Sequence, residues 1–332
     1  MKRSSPNFCS SLVFDMDYPF AIGVIKAIED KLLDRAQYAK LAKTPKSEFV
    51  ATLLSFGYGK GTSEPNVEAL IQTELQSVRQ LLDALTPDKS LTDLFYLVYD
   101  ATLLKALYKE LLFGIPHPRQ TESSGAFPAE LLEQAVLNHD RAPLPKLFQT
   151  LLKNIDNAVE AVSDNPRLVS AAIDNALLAF AIRQLRFPKP QAFLTYLLAF
   201  IDFQNVLTIE RSKLLGWSQE AATSMLLDNG SIPKSVFLEA FQPSPERYLA
   251  SLQPYYNEEL TRQLKKNQGK ASVETLEKTL SDLLLEQVKP FRHDAFSIGP
   301  IIYYYLKKNA EAKNIRILMA KDDADLADLT YY

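Results

Sequence analysis

Glycine is scarce in this chain, with ten residues in 332, about half the usage of roughly 7% found in globular proteins. It is the residue of tight hairpin turns and the costliest ordinary residue in a helix interior. Its shortage therefore argues against a sheet-rich fold and for helices. Cysteine is scarcer still. A lone Cys9 excludes an intramolecular disulfide and a cysteine-rich zinc site, and fits a reducing compartment. The three histidines, His117, His139 and His293, show neither the His-x-x-x-His nor the Glu-x-x-His spacing of a helical metal site. Neither sign of charge prevails. A formal net charge of −3 gives no chain-wide attraction to nucleic acid or anionic lipid, and the pairs Lys265-Lys266 and Lys307-Lys308 read as solvated helix surface.

Long apolar runs are also missing. The richest, Phe193 to Ile201, stops at Asp202, well short of the roughly twenty residues that span a bilayer. Lys2-Arg3 is followed by Ser-Ser-Pro-Asn, without the apolar centre of a signal peptide. The expectation is a soluble chain with no transmembrane segment. No Gly-x-x-x-x-Gly-Lys-Ser/Thr loop occurs, and Gly57-Tyr58-Gly59-Lys60-Gly61 reads as a helix stop, not a phosphate cradle. No Gly-x-Ser-x-Gly or Cys/His pair marks a covalent nucleophile. No catalytic, cofactor or metal residue is assigned, and no cofactor is expected.

What is present is dense helix punctuation. Thr44-Pro45, Asn165-Pro166 and Ser244-Pro245 each place a capping residue before a proline at the first helical position. Ser218 reads as a further cap, of a helix ending near Asn229-Gly230, and Gly114 as the stop of a helix running from about Asp93. Leu94, Leu97, Val98, Ala101, Leu104 and Leu111 keep a helical period, as do Leu276, Leu280, Leu283 and Leu284. Some fifteen helices and no hairpin are expected, hence an all-α fold. Pro116, Pro118 and Ser123-Ser124-Gly125 mark a linker over 115–128, and Gly230-Ser231-Ile232-Pro233 a second break. Lys265 to Lys270 reads as an exposed loop. These breaks cut the chain into three modules, 1–117, 118–230 and 231–332.

Each module carries a recurring phrase, an acid followed three residues later by Asn or Leu within an apolar helix. It begins at Glu29, Asp100, Asp202 and Glu311, and the last three lie roughly a hundred residues apart, too far for a solenoid repeat. On a helix, Asp202 and Asn205 share a polar stripe, as do Lys307, Glu311 and Asn314. Asparagine is a poor helix former because its amide competes for backbone groups. Two of them in matching mid-helix places predict local partners. The stripes read either as networks joining helices within a module or as the lining of an opening that meets a partner. Asp202, Asn205, Arg211, Lys307, Glu311, Asn314 and Arg316 are the candidate structural or interface residues.

Ile-Asp-x-x-Asn-Val (201–206), Ile-Glu-Arg (209–211) and Leu-Gly-Trp-Ser-Gln-Glu (215–220) resemble the C subunits of the bacterial and archaeal V-type ATPases, the counterparts of the d subunit in eukaryotic vacuolar pumps. So does Tyr-Leu-x-x-x-x-Glu-x-Lys-Asn-x-Arg (305–316), the most specific piece, and the opening Tyr18-Pro19-Phe20-Ala21 with Phe56-Gly57-Tyr58-Gly59. The chain departs from that pattern at Leu103, where the family has Asn, at Leu207 and at Lys26. The resemblance implies a funnel of three similar helical modules arranged pseudo-symmetrically. It implies a non-catalytic central-stalk rotor subunit, peripheral on the cytoplasmic side of the membrane. Its partners would be the central-shaft subunits of the soluble sector and the membrane proteolipid ring, in ATP-driven proton or sodium transport or in ATP synthesis. A generic helical scaffold and, from Asp322-Asp323-x-Asp325, a metal-dependent helical lyase or transferase stand as alternatives.

Overall fold

The computed structural model describes residues 14–63, 65–116, 125–185, 190–242, 244–267, 273–321 and 326–331. Cys9, His117, most of the 115–128 linker and Asp322-Asp323-x-Asp325 lie outside the described residues. Among those described the chain is all-α, with fifteen α-helices, five short 3₁₀ turns and no strand. The first five helices are α1 (Phe14–Ile28), α2 (Arg35–Lys43), α3 (Lys46–Ser55), α4 (Val67–Leu85) and α5 (Lys89–Phe113). Then come α6 (Ala129–Leu137), α7 (Lys146–Glu160), α8 (Pro166–Gln184), α9 (Gln191–Leu214) and α10 (Gln219–Ser224). The last are α11 (Lys234–Leu238), α12 (Pro245–Leu252), α13 (Glu259–Asn267), α14 (Val273–Val288) and α15 (Gly299–Ala320).

Local signals account for many of the boundaries. Asn165 accepts from the Arg167 N–H with Pro166 at the first position of α8, and Ser218 caps α10 through the Ala221 N–H. Gly114, at φ +65°, closes α5. That helix begins four residues before Asp93, because the Asp88 carboxylate accepts from the N–H groups of Ser90 and Leu91. Gly57 ends α3 at φ +82°, and the Tyr58 N–H reaches back to the Leu53 carbonyl at 3.2 Å, so the glycine cluster is a helix stop.

Four expectations change. Thr44 finishes α2, its hydroxyl donating to the Lys40 carbonyl, and leaves Pro45 to precede α3 without a side-chain cap. The Ser244 hydroxyl donates to Glu246 and accepts no backbone N–H. Lys265 to Asn267 belong to α13. Helix α10 stops at Ser224, because side chains of α9 take up the backbone of the following segment.

The described chain divides into two compact units, Met1–Thr92 with Val288–Tyr332, and Asp93–Gln287. In the first, α15 lies against α1 and α4, and Ile315 and Leu318 share a core with Tyr38, Phe49, Leu53, Leu70 and Ile71. In the second, α7 packs on α8 because Phe148, Leu151, Leu152, Ile155 and Val159 form one apolar face. Helix α9 there supplies Phe203, Val206 and Ile209 to a core with Phe237, Leu252, Leu260 and Leu280. It has the length and apolarity to cross a membrane by composition, yet 67% of that window is buried inside the protein.

Candidate functional site

Asp202 stands in the middle of α9 with none of its surface exposed. Its carboxylate accepts hydrogen bonds from the N–H groups of Ser231 (3.0 Å) and Ile232 (3.1 Å) and from the Tyr256 hydroxyl (2.5 Å). Burial pushes this carboxyl above its usual range, against the pull of those donors. One turn on, Asn205 Oδ1 accepts from the Leu227 N–H at 2.7 Å while its Nδ2 donates to the Leu227 carbonyl at 3.0 Å. A primary amide has a donor and an acceptor side by side, so it pairs with one residue's peptide groups as a neighbouring strand would. Acid and amide together hold the segment from Leu227 to Ile232 against the helix.

The phrase at Asp100 works in the same way within the same unit. On α5 its carboxylate accepts from the Ala126 N–H at 2.8 Å. In both places the held segment includes a glycine, since a Cβ on Gly125 would lie 1.6 Å from Asp100 Oδ1, and one on Gly230 2.1 Å from Asp202 Oδ1. Leu103, at the place of the amide, is buried apolar surface instead.

In the other unit α15 repeats the arrangement with one methylene more. Glu311, fully buried, accepts from the Leu33 N–H at 2.6 Å. Asn314 pairs with Thr330, taking its N–H at 2.9 Å and giving Nδ2 to its carbonyl at 2.8 Å. Lys308 is a correction to the sequence reading: it is not solvated surface but buried, bonded to Glu311 at 2.8 Å and Glu74 at 2.7 Å. Burial works to lower the lysine's pKa, and the two carboxylates overcome it, so the net displacement is upward. Two carboxylates share one ammonium, and the wholly buried one, Glu311, is pushed above its ordinary value by burial. The Tyr58 hydroxyl is buried beside this group and bonds to nothing among the described residues.

The remaining candidates lie nearer the surface. Arg211 pairs with Glu277, both partly exposed. Lys307 pairs with Glu29 at 3.3 Å and sits over the Tyr303 ring. Arg316 grips Glu68 through two nitrogens at 2.6 and 3.0 Å, and that hydrogen bonding holds the Glu68 carboxyl below its usual range. Asp202 and Asn205 thus act together in one unit, and Glu311, Asn314 and Lys307 share α15 in the other. The chemistry available is structural. Polar groups inside a helical body fix loop backbone that would otherwise need water.

Two participants carry no signal in the sequence. Glu74 lies 234 residues from Lys308. Tyr256 opens three consecutive left-handed residues, Tyr256, Asn257 and Glu258, with φ between 52° and 62°. Such backbone costs L-residues roughly 1–2 kcal/mol each. The Tyr256 bond to Asp202 and its ring contact with Phe203 at 4.8 Å hold the turn in place. Among the described residues no cluster of three or more His, Cys, Asp or Glu has the arrangement of a metal site.

Residues 21–321 match the family described as ATP synthase (C/AC39) subunit. The chain is 22% identical to the C subunit of the V-type sodium ATPase of Enterococcus hirae, over 92% of this chain and 93% of that protein. It is 24% identical to the C subunit of the A-type ATP synthase of Thermococcus kodakarensis (91% and 86% covered). It is also 25% identical to the C subunit of the A-type ATP synthase of Methanosarcina acetivorans (94% and 91% covered).

Proposed function

Because the chain belongs to the ATP synthase (C/AC39) subunit family, we propose that it is the non-catalytic central-stalk subunit of a V/A-type ATPase. In that role it couples the rotating shaft of the soluble sector to the membrane proteolipid ring, in ATP-driven proton or sodium transport or in ATP synthesis. The observation that carries this reading is the match over nearly the whole length to relatives named as the C subunit of such complexes. The reading includes three repeating modules, 1–117, 118–230 and 231–332, closing pseudo-symmetrically into a funnel, with the chain peripheral on the cytoplasmic side.

A coupling part has to resist torsion. Close-packed helical interiors deform little, and the acids on α5, α9 and α15 tie loops to helices at the points where a helical body is most compliant. The partly exposed Arg211, Lys307 and Arg316 supply charge for partner contacts at the rim of an interface. Affinity purification of the tagged chain tests the proposal. It should bring down the shaft subunits and, in detergent, the proteolipid ring, and the chain alone should hydrolyse no ATP. Recovery without either partner, or ATP turnover by the isolated chain, refutes it.

A further inference from the structure

Helix α9 ends in a rigid cap. Gly216 is left-handed at φ +65°, its N–H bonds to the Lys213 carbonyl at 3.2 Å, and the Trp217 N–H reaches back to the Ser212 carbonyl at 2.9 Å. This pair of bonds is the Schellman arrangement. It leaves Leu214 and Leu215 projecting from the last turn, 73% and 61% exposed. It also sets Trp217, the chain's one tryptophan, into the wall of a groove of about 360 Å³ shared with Arg167, Leu168, Ala221 and Met225.

The groove has a definite charge. The Arg167 guanidinium lies 4.7 Å from the centre of the Trp217 ring and meets no carboxylate among the described residues. No acid lines the groove. Two acids adjoin lining residues in the chain without lining the groove themselves, Asp164 before Asn165 and Glu220 before Ala221. Glu220 is occupied with the first turn of α10, where its own N–H and the Ser218 hydroxyl hold its carboxyl below the usual range. An aromatic face orients a guanidinium and leaves its N–H edge free for a planar anion. Trp and Arg are the residues that most often anchor protein contacts. A leucine pair left in water at a rigid helix end is apolar surface of the kind a partner removes.

We infer that this groove, with Leu214 and Leu215 at its approach, is a socket for a protein segment presenting a large apolar side chain beside a carboxylate. Resting on the coupling role proposed above, that segment belongs to the foot of the central shaft. A groove this size admits one or two side chains and so suits a single inserted foot. A ring of identical subunits offers the same loop many times over, which calls for a broad face instead.

Trp217 reports directly on the socket. Titrating the full chain with shaft subunits whose own tryptophans are replaced by phenylalanine should shift its emission to the blue. Replacing both leucines (Leu214→Ser with Leu215→Ser) should weaken shaft binding at least ~10-fold, the scale of a lost anchor. Arg167→Gln should weaken it several-fold and flatten its salt dependence, with Arg167→Lys intermediate. All three side chains are exposed, and circular dichroism checks that the variants keep their helix content. Unchanged emission and unchanged affinity, with the shaft still bound, overturn the socket and leave the coupling role standing. A blue shift with detergent-solubilised ring and none with shaft overturns it as well. Failure of the wild-type chain to bind the shaft at all refutes the coupling role, and the socket with it.

Discussion

Gly230→Ala is a sharp test of the acid-held loop. Gly230 does not adopt a left-handed conformation, so on backbone grounds alanine should stabilise by about 0.4–1 kcal/mol through the unfolded state. Contact reverses the sign. The added Cβ would lie 2.1 Å from Asp202 Oδ1 and 3.0 Å from Ile201 Cγ2, so the loop must move off the carboxylate. That movement strains the N–H bonds of Ser231 and Ile232, each a bond to a charged group contributing about 1.5–3 kcal/mol. With partial relaxation the net loss is about 2–4 kcal/mol. For a unit of the size of Asp93–Gln287, each kcal/mol moves the melting temperature by about 2–4 °C, so calorimetry should show a fall of roughly 5–15 °C. Combining Gly230→Ala with Asp202→Ala removes the clashing oxygen. The second substitution should then cost at least ~1 kcal/mol less than it does alone, as coupled sites do. A Gly230→Ala protein as stable as wild type, or strictly additive costs in the cycle, refutes the account.

Lys308→Met should destabilise by about 3–5 kcal/mol at neutral pH, because Glu311 is left buried without its ammonium. Its carboxyl then rises further above 4.5. The unfolded chain releases that proton first, so the deficit grows as pH climbs above 4.5 and shrinks on acidification; urea titrations at pH 5 and pH 8 that give equal deficits refute this. Asn205→Ala and Asn314→Ala should each cost about 2–3 kcal/mol, since Leu227 and Thr330 keep a buried N–H and carbonyl without partners; losses under ~0.5 kcal/mol would show that water replaces the amides. Arg211→Ala should change stability by no more than ~1 kcal/mol, because its pair with Glu277 is half in solvent, and chemical denaturation at low and high salt reads this directly.

The sequence disclosed elements far better than partners. Asn165, Ser218 and Gly114 act on atoms within four residues, so local chemistry was enough to place them. The phrase at 100, 202 and 311 marks the polar helix positions for a similar reason, because a buried acid in an apolar run, with an amide one turn on in the last two, needs a hydrogen-bond partner. Their partners were not legible. Tyr256 meets Asp202 from 54 residues away, and three left-handed residues without a glycine give no warning of a turn. Lys308 follows another lysine, a pattern typical of solvated surface, and its burial depends on Glu311 one turn on and on Glu74 arriving on α4. Helix α10 ends short of Asn229-Gly230 because the segment after Ser224 answers to α9, a tertiary demand that outweighs local helix preference.

The first unit draws one core from two segments more than two hundred residues apart, with Ile315 and Leu318 seated among residues that precede position 76. During synthesis at about 5–20 residues per second, the opening helices leave the ribosome on the order of ten seconds or more before α15 exists to cover them. Their apolar faces must wait uncovered while the intervening unit, contiguous in the chain, has all it needs to collapse. Nascent chains of this protein should therefore engage holding chaperones through α1 to α4 until α15 has been made.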